Sequence, residues 1–591
     1  MTISSTPSYP QYQKQEVVTP IPAHTPHAVS VCLPTWADNI AYEEGEPRIH
    51  SAMKSGYPRF CIHYNIKKLM SYCESKFAVE QESSMIFSTR RVAKRCRGFI
   101  NKFYEFSEGE ATPRIAEFTI LPPAKSSYKP VTLQVVLFPK NAFPFAKSFW
   151  QHAGDGISSR LAEHCLFLLK EKEREEQNSR ELIPKATQGN RHYNRGGFSG
   201  RASKGENRAE VEQEEKEVET YFEERYGRNL DVQYANQAKI FLRRRIAGVL
   251  NTENDGSDAT ADGERGIQGI SENDVFLYPT GMSAIFHSHD TLLQTLPPQK
   301  SVCFGFPYVD TLKILQKFGP GCHFYGNGEE KDLDELEQLL ESGEKILALY
   351  CEFPGNPLLK TPNLKRIRQL ADKYEFAVVV DETVGNFVNV RVLEWADIVV
   401  SSLTKIFSGD SNVMGGSLVL NPHGRYYEQL QATLKQDYED LMWSEDAIFL
   451  ERNSRTFKQR IHKVNHHTET LCDFLASHPK VVKIFYPKYN MRESYDSFKS
   501  PEGGYGGLFS IILESEEAAI QFFDHLECAK GPSLGTNFTL VCPYTILAHY
   551  TELDWASQYG ISRFLVRVSV GLECPEHLLK VFKEALDQIT V

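Results

Sequence analysis

Hydrophobic and polar positions divide this chain into stretches of different character. From about residue 28 to residue 185, apolar periodicity and aromatic residues predict a folded N-terminal region, as in "VTLQVVLFPKNAFPFAKSFWQHAG" and "SSRLAEHCLFLLKEKEREEQ". Residues 1–27 lack such a pattern and are expected to be a disordered lead-in. Over 186–217 the pattern disappears: "GNRHYNRGGFSGRASKGENRAEVEQEEKEVE" is Gly/Arg/Ser-rich and then acidic, with almost nothing to bury, which predicts a linker. A second polar insert, 251–274 ("NTENDGSDATADGERGIQGISEND"), predicts a surface loop. From there strand-like and helix-like segments alternate: "DVFLYPTG" before "MSAIFHSHDTLLQTL", "KILALYCEFPGNP" before "NLKRIRQLADKY", then "EFAVVVDETVG" and "ADIVVSSLTK". That alternation predicts a parallel α/β sheet over 275–435, with a further domain over 436–591.

Composition narrows the function classes. At 591 residues the chain is too long for one core, and roughly three or four folded units are expected. With 24% charged and 41% hydrophobic residues it reads as a water-soluble globular protein. A net charge of -11 argues against a general nucleic-acid binder. The two Arg-Gly steps of the linker are too few to change that reading. No apolar run reaches bilayer length, and the first residues show neither a signal core nor an Arg-rich amphipathic pattern, so a cytoplasmic protein without membrane contact is expected. The twelve cysteines are scattered singly with no Cys-x-x-Cys pair, which predicts reduced thiols and no metal site. The basic stretch "TRRVAKRCRGFINKF" is read as a solvated helix face.

Chemistry gathers at the predicted strand ends, where ligands of open α/β sheets bind. One strand ends on Asp381; another ends "SSLTK", on Ser402, Thr404 and Lys405. A third runs into Gly281 and Met282 at a helix start, and a fourth into "EFPGNP", Glu352 to Pro357. Free amides at a helix N-terminus suit a phosphate, and the two hydroxyls could add donors to the same anion. A lysine beside a phosphate site, with a buried carboxylate from the neighbouring strand, suggests pyridoxal 5'-phosphate (PLP): the amine bonds the aldehyde, and Asp381 keeps the pyridine nitrogen protonated. Singly, each residue has a plainer use as surface charge, strand-end turn or helix cap; their joint order favours the cofactor. The glycine-rich tail after Lys405, "IFSGDSNVMGG", is expected to let the backbone run close to that cofactor.

These motifs, with "ERYGRNL", "FPYVDT", "SLGTNFTL" and "GISRFLVRVSVGLE", resemble the Cys/Met-metabolism PLP enzymes from about Glu217 to the C-terminus. The long N-terminal extension and "AVSVCLPTWADNIAYEEGE" resemble the fungal branch of that family that makes cystathionine. The resemblance implies aspartate-aminotransferase fold type I: a large parallel-sheet domain, a smaller C-terminal α+β domain and an extra N-terminal region. It implies PLP as cofactor and O-acylhomoserine and cysteine as substrates, joined by γ-replacement. Cystathionine lysis, sulfide addition to O-acetylhomoserine, or a catalytically silent regulatory homologue are the alternatives. By position, Lys405 would hold the cofactor and move protons, Tyr308 would stack on its ring, and Asn356 would touch its phenolic oxygen or the substrate carboxylate. Arg567 with Ser533 would clamp that carboxylate. Tyr226 and Arg228, on an arm over 218–250, would reach the phosphate of a neighbouring subunit, which implies a homodimer or homotetramer with shared sites. Phe538 stands where many relatives carry glutamate and is expected near the substrate pocket.

Overall fold

The computed structural model describes residues 16–57, 61–124, 126, 128–181, 232–249 and 265–590. Tyr226, Arg228, the linker over 186–217 and the first part of the polar insert lie outside them.

Three sheets organise the chain. The first is antiparallel and N-terminal, with β1 (Glu82–Phe87), β2 (Arg114–Ile120) and β3 (Val131–Pro139) in the order β1-β3-β2. The second has seven strands: β4 (Val275–Tyr278), β5 (Ser301–Phe304), β6 (Cys322–Tyr325), β7 (Ala348–Glu352), β8 (Ala377–Asp381), β9 (Ile398–Ser402) and β10 (Gly416–Leu420). Their order is β4-β10-β9-β8-β7-β5-β6; the run from β6 to β9 is parallel, and β10 is antiparallel to both its neighbours. The apolar runs of β8 and β9 are buried because helices cover both faces of such a sheet. The third, C-terminal sheet holds β11 (Val481–Phe485), β12 (Leu508–Leu513), β13 (Ala529–Lys530), β14 (Leu540–Pro543) and β15 (Val566–Ser569), mostly antiparallel, in the order β11-β12-β15-β14-β13. This is the expected large, mostly parallel domain with a smaller α+β domain and an extra N-terminal region.

The N-terminal region is no separate body. Phe87, Phe99, Phe149 and Trp150 share one apolar cluster with Tyr278, Ile285, Phe286 and Tyr350 of the large domain. Helix Arg90–Phe103, the basic stretch, buries Val92, Cys96, Phe99 and Ile100. Its Arg91 and Arg95 pair with Asp437 and Asp290 of the large domain, so this basic face is partly neutralised within the chain.

Two expectations from polarity are corrected. Of the supposedly disordered lead-in, residues 16–27 are packed: Val18 donates to the Cys32 carbonyl at 2.8 Å, Ile21 is buried against Cys32 and Leu540, and His27 is buried. The preceding prolines hid a short paired segment. Within the supposed surface loop, Arg265 is 2% exposed and pairs with the equally buried Glu382 at 2.7 Å, while Ile267 and Ile270 join the main core. A buried charge needs such a partner, and Glu382 is too distant in sequence to be read as one.

Candidate active site

Strand register brings the chemistry together. In the β7–β8 ladder Glu352 lies opposite Asp381; in β9–β10 Ser402 lies opposite Gly416, which in turn lies opposite Tyr278 of β4. The carboxyl ends of β7, β8 and β9 and the helix that follows β4 therefore open on one place. A cavity of about 190 Å³ lies there, lined by Gly281, Tyr308, Asn356, Asp381, Lys405 and Arg567 among others.

Lys405 is buried, and its Nζ donates to Ser533 Oγ at 3.1 Å and to Tyr57 Oη at 3.1 Å. Its ammonium also lies 4.5 Å from the centre of the Tyr57 ring. The Tyr308 hydroxyl, 3.5 Å from that of Tyr57, completes a polar edge around the amine.

Helix Gly281–Thr295 begins directly after β4, with Thr280 as its cap accepting from the Ser283 N–H. The Gly281 and Met282 amides at its first turn remain for an anion at the positive end of the helix. A Cβ on Gly281 would sit 2.6 Å from Ser402 Cβ, so only glycine lets this turn meet β9. The Ser402 N–H donates to Thr383 Oγ1 at 2.8 Å, which fixes the end of β9. Thr404 is occupied differently from the expectation: its hydroxyl exchanges hydrogen bonds with the backbone of Gly415.

Asp381 accepts from the Thr383 N–H at 2.9 Å. Burial pushes its carboxyl above the usual range, and hydrogen bonds from Thr383 oppose the shift. Glu352 is also pushed up, first by burial and then by Asp381 beside it, against the N–H groups of Tyr308 and Asn356 that its carboxylate accepts. Two carboxylates side by side raise one another, so the pair favours keeping a proton. Arg567, buried in β15, donates from Nη1 to Asn356 Oδ1 at 3.2 Å and from Nη2 to the carbonyls of Pro532 and Ser533 at 3.1 and 2.9 Å. Ser533 thus joins the two machines: its hydroxyl meets Lys405 and its carbonyl meets Arg567.

The donor set fits PLP. A helix start free of Cβ would take the phosphate, the lysine the aldehyde, and the raised carboxyl of Asp381 a pyridinium N–H. Of the expected residues, Lys405, Tyr308, Asp381, Asn356, Ser402, Gly281, Met282 and Arg567 all line this cavity, as does Thr404, and Ser533 touches the amine. The glycine-rich tail has another use than expected. A Cβ at Gly409 would strike Arg460 and Asn537, and one at Gly416 would strike the Thr280 carbonyl, so these glycines admit protein rather than cofactor. Phe538 packs with Ile21, Cys32 and Leu540 and is not among the lining residues. Tyr57 and Arg460 escaped the sequence reading. Arg460 donates to the carbonyls of Ile406 and Phe407 and fixes the turn after Lys405. Neither stands in a recognisable motif, and both reach the site from far along the chain.

Comparison with known proteins agrees with this geometry. The family model described as Cys/Met metabolism PLP-dependent enzyme matches residues 265–587, and the one described as fungal trans-sulfuration enzyme, N-terminal domain, matches residues 65–158. The chain belongs to the Cys/Met-metabolism PLP-dependent enzymes, and its cofactor is pyridoxal 5'-phosphate. It is similar to a cystathionine gamma-synthase of Neurospora crassa, 48% identical over 97% of this chain and 98% of that one. A cystathionine gamma-synthase of Saccharomyces cerevisiae is 40% identical over 96% and 98%. An alanine racemase, ungC, of Aspergillus violaceofuscus is 33% identical over 95% and 94%, so near-full-length likeness in this family spans more than one named reaction.

Proposed function

We propose that this enzyme carries out γ-replacement, joining an O-acylhomoserine and L-cysteine to give cystathionine and the free carboxylic acid, a transsulfuration step towards methionine. The observation that carries it is the placement of a proton carrier beside a carboxylate clamp: Lys405 and Arg567 are tied to the hydroxyl and the carbonyl of the same residue, Ser533. PLP, when bound, supplies a sink for electrons released at the substrate's Cα and Cβ. The chain's own residues do the rest. Arg567 binds the α-carboxylate through its planar fork, with Asn356 fixing one arm. Lys405 Nζ takes the Cα proton and then serves at Cβ, so that the acyl carboxylate can leave Cγ and the cysteine sulfur can bond there. Asp381 holds a proton at the ring nitrogen, Tyr308 covers the ring, and the Gly281 and Met282 amides with Ser402 take the phosphate, while Thr404 holds the Gly415 backbone beside them. Tyr226 and Arg228 complete the phosphate site of a neighbouring subunit in a cytoplasmic homodimer or homotetramer. The near-full-length likeness to two cystathionine gamma-synthases supports γ-replacement over cystathionine lysis and sulfide addition.

The test is to give the purified protein O-acetyl- and O-succinylhomoserine with cysteine, the same esters with sulfide, and cystathionine alone. Cystathionine should form fastest, and Lys405→Ala should abolish turnover together with the cofactor's protein-bound absorbance. Faster cystathionine breakdown or faster use of sulfide would replace the assignment with that reaction.

A further inference from the structure

Tyr57 reaches the reacting amine from a part of the chain outside both family models, which begin at residues 65 and 265. Its position is built, not incidental. Ile49, Met53 and Ser55 just before it are buried, and a Cβ on Gly56 would meet Met53 Cε at 2.6 Å and Cys61 Cβ at 3.1 Å. The Tyr57 carbonyl accepts from the Cys61 N–H at 3.1 Å, and the Lys54 carbonyl from the Tyr64 N–H at 3.0 Å. These bonds tie the backbone at Lys54 and Tyr57 to that at Cys61 and Tyr64. Met53 and Ile49 anchor it on the same apolar cluster as Phe306 and Tyr544, whose neighbours line the cavity.

The phenol makes two different contacts with one nitrogen. Its oxygen accepts from Lys405 Nζ at 3.1 Å, and its ring faces the ammonium at 4.5 Å. A lysine freed from its covalent link must be held, because its four-carbon stem otherwise lets the amine swing away from the atoms it must reach. A hydroxyl acceptor and an aromatic face both stabilise the ammonium, the form Lys405 takes once it has accepted a proton. Ser533 Oγ at 3.1 Å gives a second fixed direction. Together the two contacts orient Nζ while it is free to carry protons.

We propose that Tyr57 is a further catalytic residue of this site, supplied by the N-terminal region of the same chain, which binds the Lys405 amine during proton transfer. The proposal rests on the role given to Lys405 in the γ-replacement reading.

Two full-length variants test it, Tyr57→Phe, which keeps the ring and the packing, and Tyr57→Leu, which loses both contacts. The first measurement is kcat and KM for cystathionine formation. In Tyr57→Phe, kcat should fall about tenfold with KM nearly unchanged, less than the roughly 100-fold of a group that itself transfers the proton, because Tyr57 holds the amine that does so. The second measurement needs no turnover: competitive acetylation of Lys405 across pH in cofactor-free protein, read by peptide mass spectrometry. Loss of the oxygen acceptor should move the labelling midpoint of Tyr57→Phe down by about one pH unit, and Tyr57→Leu further. Unaltered thermal midpoints serve as the folding control. A folded Tyr57→Phe with parental kcat, or with a parental labelling midpoint, overturns the proposal. Should the parent make no cystathionine while the labelling midpoint still shifts, the reaction assignment falls and the Tyr57–Lys405 contact stands.

Discussion

At the scale of single residues, Arg567 and the carboxylate pair make opposite demands on burial. Arg567 is 4% exposed, its three named hydrogen bonds all go to neutral oxygens, and among the described residues no carboxylate pairs with it, so its charge faces the cavity. Desolvating a guanidinium without a counter-charge is costly, and a substrate carboxylate would relieve it. Arg567→Lys should therefore raise KM for the acylhomoserine by about 10- to 100-fold with a smaller change in kcat, because a point charge cannot replace the two-pronged fork. Unchanged steady-state kinetics would place the carboxylate elsewhere. Glu352 and Asp381 are both pushed up, so at pH values above the ordinary carboxylate range the native protein binds more protons than the unfolded chain. Stability then falls as pH rises through the raised values. Thermal melts of cofactor-free protein between about pH 5 and pH 8 should show that decline, and Glu352→Gln should flatten it. Parallel pH profiles for parent and variant would remove the pair from the account.

At the scale of elements, the site depends on how closely a helix start can approach a strand end. Gly281→Ala places a methyl 2.6 Å from Ser402 Cβ and 3.0 Å from its Cα, and backbone at the end of β9 has little room to retreat. The substitution should cost about 1–3 kcal/mol of stability and displace the turn that opens the helix. Equilibrium dialysis should show PLP affinity falling at least severalfold; parental affinity would show that the phosphate does not sit at this turn. The helix start itself was legible in the sequence, since a Gly between an apolar strand run and an amphipathic run marks such a boundary. So were the β8 and β9 ends, whose apolar runs stop abruptly at Asp381 and Ser402. Three elements were not. The segment at 16–27 is short and proline-rich, and its pairing with residues 30–32 leaves no periodic pattern. Arg265 looked solvated because its partner Glu382 is supplied by the sheet. The glycines after Lys405 announced close approach without saying to what, and Arg460 and Asn537 proved to be the neighbours of Gly409.

At the scale of the whole molecule, the N-terminal region acts as a structural half of the enzyme's core and as a wall of its site. Gly154, left-handed at φ 68°, abuts Thr280, and Thr280 Oγ1 donates to its carbonyl at 3.1 Å, so the cap of helix Gly281–Thr295 is itself held by the N-terminal region. Asp155 next to it accepts from the Ser283 hydroxyl and faces His287 at 3.0 Å on the same helix. Beneath these contacts Phe99 stacks on Phe318, and Phe286 packs edge-on against that same Phe318. A chain beginning at residue 232 would uncover this apolar face and leave partners such as Asp290 and Asp437 without their arginines. Expressed alone, that piece should be insoluble or lack fixed aromatic packing in near-ultraviolet circular dichroism, whereas the full chain should show both solubility and signal. Co-expression with residues 1–181 as a separate chain should restore soluble material, because the lost contacts are packing and ion pairs such as Arg95–Asp290 rather than covalent connection. A soluble, PLP-binding fragment from residue 232 alone would mean that the large-domain face is stable in water, and the shared core would not be what holds helix Gly281–Thr295 in place.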